Sequence, residues 1–281
     1  MSEARFPLGF VGGGKLAGSV IRGLLLKEFC RPQQIIVSEP NPETRAPLQN
    51  QLGVSIAEDN RHLAATAETI FLGLKPQMVL PILHEIGGGA QGKLIVSLAA
   101  GVRIRNIEAV TPARVMRVMT NTPSAVGRAA SAFAAGSRAT SEDRENVRTI
   151  FGAIGIGVEV DDNEIDAVTA LAGSGPAFVF TVIKAFAAGG IKAGLRNEKD
   201  TLQLAAQMVS GAAELALISG KTPEELITMV ATPGGTTAAG LQVMERQSTA
   251  AGISAAVEAA AARGQQMAKE TGSDDSPNRD R

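Results

Sequence analysis

Tyrosine is absent from this chain of 281 residues, cysteine occurs once and histidine twice. Without tyrosine, every dehydrogenase mechanism that protonates its substrate through a Tyr and Lys pair is excluded. Cys30 stands alone, so there is no internal disulfide and no CxxC metal or redox motif, and it reads as a buried small hydrophobe. His62 and His84 flank the apolar run 70–74 and are expected on surface helices, away from chemistry. A zinc site is not expected from so few ligands, and no residue is assigned to a metal. Charge is short of either sign as well: 27 Lys and Arg oppose 28 Asp and Glu, for a net charge of -1. No basic patch is present to follow phosphates, so nucleic acid is not expected as a partner. No unbroken apolar run reaches the ~20 residues of a membrane span, and no membrane partner is expected. The opening MSEARFPLGFVGGG places an acidic residue and a proline before its apolar run, unlike a signal peptide. A cytoplasmic location is expected.

At roughly 100 to 200 residues per domain, the length predicts two domains. Over residues 1–162, short β-rich runs alternate with helical stretches, the pattern of a parallel sheet covered by helices. Strands are expected at 8–12, 35–39, 55–57, 70–74, 94–98, 115–119, 130–135 and 157–160, with a helix over 141–152. Further helices open at Asn41-Pro42, Lys75-Pro76 and Arg103, where a proline early in the helix costs little. From Asn163 the strand signals stop. Helices are expected at 164–171, 174–194, 198–219, 223–230, 237–245 and 253–270, with caps at Asn197 and Thr222, so that 163–271 forms a second, all-helical domain. Residues 272–281, GSDDSPNRDR, are expected to be disordered. The helices are apolar on more than one face, as Ile183, Phe186, Leu202, Leu204, Met208, Val209, Leu215 and Leu217 show. Such helices must be buried on several sides, which predicts an intertwined homodimer with Ala and Gly at close crossings.

The residues suited to chemistry gather at strand ends. LGFVGGGKLA, residues 8–17, runs from an apolar strand through Gly12-Gly13-Gly14 into a helix and fits GxGxxA. In that motif Gly12 makes the tight turn, Gly14 admits a pyrophosphate close to the backbone, and Ala17 allows close packing of helix on strand. At the end of the second strand Glu39 either suits the ribose 2′-OH of NAD or simply faces solvent. Ser38, Asn41, Arg45 and Asn60 suit the 2′-phosphate of NADP. Lys75 follows the strand beside the first, either contacting cofactor or substrate or opening a solvated helix. Ser97-Leu98-Ala99-Ala100-Gly101 leaves room for a nicotinamide ring, and Asn121 offers an amide to the same cleft. Thr232-Pro233-Gly234-Gly235-Thr236-Thr237 opens a helix and reads either as an anion site or as an ordinary cap. Ala172-Gly173-Ser174-Gly175-Pro176 reads either as a tight loop and cap or as substrate wall.

At these clusters the chain resembles the pyrroline-5-carboxylate reductase family from end to end, the extreme tail excepted. The matching blocks are FVGGGKLA, LKPQ, SLAAGV, RVMTNTPSAVG, AVTALAGSGPAFVF and VATPGGTTAAGLQVME. The resemblance implies an α/β chain with an N-terminal Rossmann-like dinucleotide-binding domain and a helical C-terminal dimerisation domain. It implies reduction of 1-pyrroline-5-carboxylate to L-proline, the last step of proline biosynthesis, with NADPH as cofactor and NADH as the alternative. Substrate would bind at a dimer interface, in a homodimer or an oligomer of dimers. Carried over by motif, Val11, Gly12, Gly13, Gly14, Lys15, Leu16, Ser38, Asn60, Leu74, Lys75, Leu98, Ala99 and Ala100 would contact the cofactor. The N–H groups of Gly235, Thr236 and Thr237 would hold the substrate carboxylate, with Thr237 as the catalytic hydroxyl near the ring nitrogen. Three positions depart from the family pattern: Thr120 replaces a proline, Lys184 a glutamate and Thr232 a serine. Two other readings are a related imine or β-hydroxyacid reductase with Lys75 as proton donor, and a non-catalytic dinucleotide sensor.

Overall fold

The computed structural model describes residues 6–270, and the expectation for 272–281 lies outside the described residues. Residues 6–174, with 260–270, make one compact unit and Gly175–Ala259 another.

The first unit is built on an eight-stranded sheet of order β3-β2-β1-β4-β5-β6-β7-β8. The strands are β1 Phe6–Val11, β2 Ile35–Ser38, β3 Ser55–Ile56, β4 Ala67–Leu72, β5 Leu94–Ser97, β6 Arg114–Met119, β7 Ala129–Ala135 and β8 Gly155–Glu159. Between them run α1 Lys15–Leu26, α2 Pro42–Leu52, α3 Asn60–Thr66, α4 Pro76–Ile86, α5 Ile104–Glu108 and α6 Ser141–Ala153. Side chains alternate between the two faces of each strand. Val11, Ile70, Leu72 and Ile95 therefore fill one core, while Leu8, Phe10, Phe71, Leu94 and Val96 fill the other. Phe10 and Phe71 stack at 4.5 Å in that second core.

β1 to β6 pair in parallel, whereas β7 runs antiparallel to β6. The expected parallel pattern thus needs correcting at its far edge. A parallel return takes a crossover of a dozen or more residues, and the link from Met119 to Ala129 is shorter than that. β4 begins at Ala67, before its expected start, because α3 passes into it with no turn residue between. Cys30 is only half-buried, not the buried hydrophobe expected.

The last part of the first unit, α7 Ile165–Val168, continues into a π-helical turn, Thr169–Gly173. The second unit holds α8 Gly175–Lys192, α9 Glu198–Ile218, α10 Pro223–Val230 and α11 Thr236–Arg246, while α12 Thr249–Glu270 has residues in both units. Asn197 and Thr222 cap α9 and α10 as expected, Thr222 in a capping box with Glu225. α8 and α9 pack closely where Gly190 meets Thr201: a Cβ on Gly190 would stand 2.9 Å from the Thr201 methyl. Within a single chain the apolar faces are uncovered, with Leu204 62%, Leu217 71% and Ile218 76% exposed. Ile165–Lys192 and Glu198–Ile218 have the length and mean hydropathy to cross a membrane, although neither is an unbroken apolar run. Glycine, threonine and an occasional charge interrupt such a run without lowering the mean hydropathy of the helix.

Asp143 sits at the start of α6, accepts from the Thr140 backbone N–H and receives Arg114 Nε at 2.7 Å. Burial raises its pKa, but the bonds from Arg114 and Thr140 outweigh it and leave the group below its ordinary value. A depressed carboxylate stabilises the fold above the unfolded pKa of about 3.9 and ceases to do so as pH falls through the folded value. Asp143→Asn should therefore cost about 1–3 kcal/mol near neutral pH, with the difference from wild type shrinking in denaturant melts as pH falls below about 3.9. The exposed helical faces make a second prediction: light scattering on the eluted protein should give twice the mass of one chain or a multiple of that. A monomer would refute it.

Candidate active site

Three strands end together at the Gly-rich turn. Gly12, at φ +86°, donates its N–H to Ser38 O at 2.8 Å, and Gly73 donates to Val11 O at 2.8 Å. The end of β1 is thereby clamped between β2 and β4. A Cβ on Gly12 would stand 2.6 Å from Gly73 O, and one on Gly73 would stand 2.7 Å from Ala17 Cβ. These two glycines and the small Ala17 are required by the approach of β4 and α1. Gly14 differs: as N-cap of α1 it has φ -60°, which any residue adopts, and a Cβ there meets nothing within 4 Å. No side chain caps this helix, so its first N–H groups face that open space. A phosphate fits such a cradle, where N–H donors and the positive end of the helix dipole converge.

Beside the turn, Glu39 is half-buried and hydrogen-bonded through both oxygens. Its Oε2 accepts from Gly13 N–H at 2.9 Å and its Oε1 from Asn41 N–H at 2.9 Å. Ser38 Oγ donates to Asn60 Oδ1 at 2.7 Å, and Asn60 Nδ2 donates to the Glu85 carboxylate at 3.1 Å. Because a carboxylate only accepts, this chain of bonds also fixes the orientation of the Asn60 amide.

Along the sheet, the Leu74 side chain lies beside Gly12, and Lys75 is the exposed N-cap residue of α4. Leu98 donates its N–H to Leu72 O at 3.1 Å, extending the pairing of β4 with β5. Val11, Leu98 and Ala99 turn buried side chains into the two cores, so they offer a ligand only backbone, whereas Ala100 is exposed. Lys15 is exposed and Leu16 half-buried at the start of α1.

Asn121 does not offer its amide to a cleft, contrary to expectation. Its Oδ1 accepts from Ala130 N–H and its Nδ2 donates to Ala172 O at 3.0 Å, tying β7 to the π-helical turn. That turn occupies part of the AGSGP segment, which is thus neither a tight loop nor a simple cap. Single π turns recur at functional sites. Thr120 bonds the Ser131 hydroxyl at 2.8 Å with both groups buried. The sequence reading missed a buried ionic cluster: Arg117, fully enclosed in β6, reaches Asp166 at 2.8 Å and Asp162 at 2.9 Å, and Arg103 reaches Asp166 at 2.8 Å. An arginine inside the apolar run VMRVM is the signal that a buried partner exists.

In the second unit, Gly234 takes φ +72° and Gly235 donates its N–H to Thr232 O at 3.0 Å. A side chain at Gly235 would collide with the Thr232 hydroxyl. Gly235 is the N-cap of α11, with no side-chain cap. Because the Gly235 N–H is spent in the turn, the open donors begin with those of Thr236 and Thr237.

Residues 162–267 match the family model for pyrroline-5-carboxylate reductase dimerisation, and 7–101 match that for coenzyme F420-dependent NADP oxidoreductases. A pyrroline-5-carboxylate reductase from Pisum sativum is 37% identical over 93% of this chain and 96% of its own. One from Synechocystis is 38% identical over 93% and 98%. The chain belongs to the pyrroline-5-carboxylate reductase family. A solved pyrroline carboxylate reductase from Plasmodium falciparum with NADP bound superposes at TM-score 0.84, with 26% identity, covering 95% of this chain and 99% of that one. An imine reductase from Myxococcus stipitatus, 18% identical at TM-score 0.51 over 76% of each chain, shares the fold alone. Membership also accounts for the uncovered apolar helices, which fall inside the dimerisation match.

The contrast between the two glycines is testable. Gly14→Val should fold with unchanged melting temperature and lose about 10- to 100-fold in dinucleotide affinity by calorimetry. Gly12→Val should instead lose about 2–4 kcal/mol of stability. Equal melting losses would refute the assignment.

Proposed function

We infer that this chain reduces 1-pyrroline-5-carboxylate to L-proline with NAD(P)H. The observation that carries the inference is that the relatives' match spans 93% of the chain, while the two family matches take in the Gly-rich turn and the PGGTT loop. When bound, the reduced dinucleotide supplies the hydride. Gly12 to Leu16 form its phosphate cradle, Ser38 and Asn60 line its ribose end, and Leu74, Lys75 and Leu98 to Ala100 border the nicotinamide end. The N–H groups of Thr236 and Thr237 hold the substrate carboxylate at the start of α11. The N–H of Gly235 serves the loop by closing its turn.

The chemistry asks little of a protein acid. The ring nitrogen takes its proton from water, and the resulting iminium accepts hydride at carbon, so positioning does most of the work. That agrees with a chain lacking tyrosine, in which His62 accepts a backbone N–H and His84 bonds its own helix. Thr237 Oγ orients the nitrogen without titrating. The two-domain division at 162, the cytoplasmic location and the assembly of dimers into larger oligomers belong to the same proposal. The single free cysteine and the balanced charge support its cytoplasmic part.

Initial rates with pyrroline-5-carboxylate should show saturable oxidation of the dinucleotide, and a stronger preference for a hydroxyacid would overturn the reading. Thr237→Ala should lower kcat by about ten- to hundredfold while leaving dinucleotide affinity unchanged. An equal loss of dinucleotide affinity would place Thr237 elsewhere.

A further inference from the structure

We propose that the corner formed by Glu39, Ser38, Asn60 and Glu85 selects NADH over NADPH, with Glu39 as the discriminating residue. The inference rests on the dinucleotide reading above and deepens it. In a dinucleotide fold the adenosine ribose lies at the end of the second strand, which here is Ser38 followed by Glu39. A 2′-phosphate brings roughly -1.5 to -2 charges and oxygens that accept hydrogen bonds, so it needs donors and cations. Two backbone donors and the side-chain donors of Ser38 and Asn60 are already committed at this corner. Gly13 N–H and Asn41 N–H go to Glu39, Ser38 Oγ to Asn60, and Asn60 Nδ2 to Glu85. Two of the three acceptors are carboxylates, which repel a phosphate.

A ribose diol makes the opposite demand, since its hydroxyls donate. Each carboxylate oxygen of Glu39 accepts one backbone N–H and keeps a second lone-pair site. The cations on the neighbouring helices are Arg45 on α2 and Arg61 on α3. Arg61 directs its Nε to the backbone carbonyl of Glu85 at 3.2 Å, the residue that carries the second carboxylate. Ser38 and Asn60, residues suited by type to NADP, serve here to hold an acidic corner in place.

Calorimetric titration of the purified full-length protein with NADH and with NADPH tests this directly, without turnover. NADH should bind about tenfold tighter or more, and the gap should narrow as salt is raised. Glu39→Gln should close the gap chiefly by tightening NADPH. Glu85→Gln, which leaves the bridge from Gly13 to Asn41 intact, should tighten NADPH by a smaller factor and keeps the test valid if Glu39→Gln misfolds. Equal or tighter NADPH binding by the wild type overturns the proposal while leaving the reductase reading standing. So does a loss in Glu39→Gln that is equal for both dinucleotides, since Glu39 would then be a loop brace alone. Binding of neither dinucleotide to the wild type would overturn both.

Discussion

The close approach of β1 and β4 at Gly12 and Gly73 is the constraint on which the cofactor end of this enzyme depends. Gly73 donates to Val11 O, Gly12 donates to Ser38 O, and Ala17 rests against Gly73 without room for another methyl. That crossing sets where β1 stops and α1 starts, so it aims the uncapped N–H groups of α1 at the space beside Gly14. Each larger residue at the crossing would push helix and strand apart and spoil the cradle, although none of these atoms needs to touch a ligand.

Polar ties of similar economy hold the far end of the first unit. Asn121 uses both ends of its amide, on Ala130 and Ala172. Arg117, Arg103, Asp162 and Asp166 neutralise one another where β6 meets the start of α7. Burying such charges is costly, and removing one partner costs more because it strands the other. Their return is a defined path for the chain into the π-helical turn. Thr120 fits the same pattern, since its buried hydroxyl has that of Ser131 to bond.

The second unit follows a different logic. Its helices bury Thr201 and Ala205 within one chain and leave large apolar residues outside, a distribution that makes sense for a surface completed by another copy. The PGGTT loop stays polar within it: Gly235 is kept small by Thr232, its N–H is consumed by the turn, and the next two donors remain open. Recognition of an anion here comes from backbone geometry, so it leaves only a weak mark in residue chemistry.

Much was legible in the sequence because periodic and steric rules act locally. Eight strands, the helices between them, the caps at Asn197 and Thr222 and the GxGxxA turn all follow from alternation, helical spacing and the few residues able to sit at a tight turn. The apolar excess of the C-terminal helices likewise declared that one chain would not cover them. The reversal of β7 was not legible, because a strand's residue pattern carries no direction. Nor were the partners of Arg117, the occupation of Asn121, or the part played by Glu39, which type alone left divided between ribose and solvent. Those are contacts across 26 to 51 positions of chain. Sequence by itself determined which residues can bend, bury or donate. Tertiary structure decided which of those donors were already spent, because a hydrogen bond is settled only when both partners have been brought together.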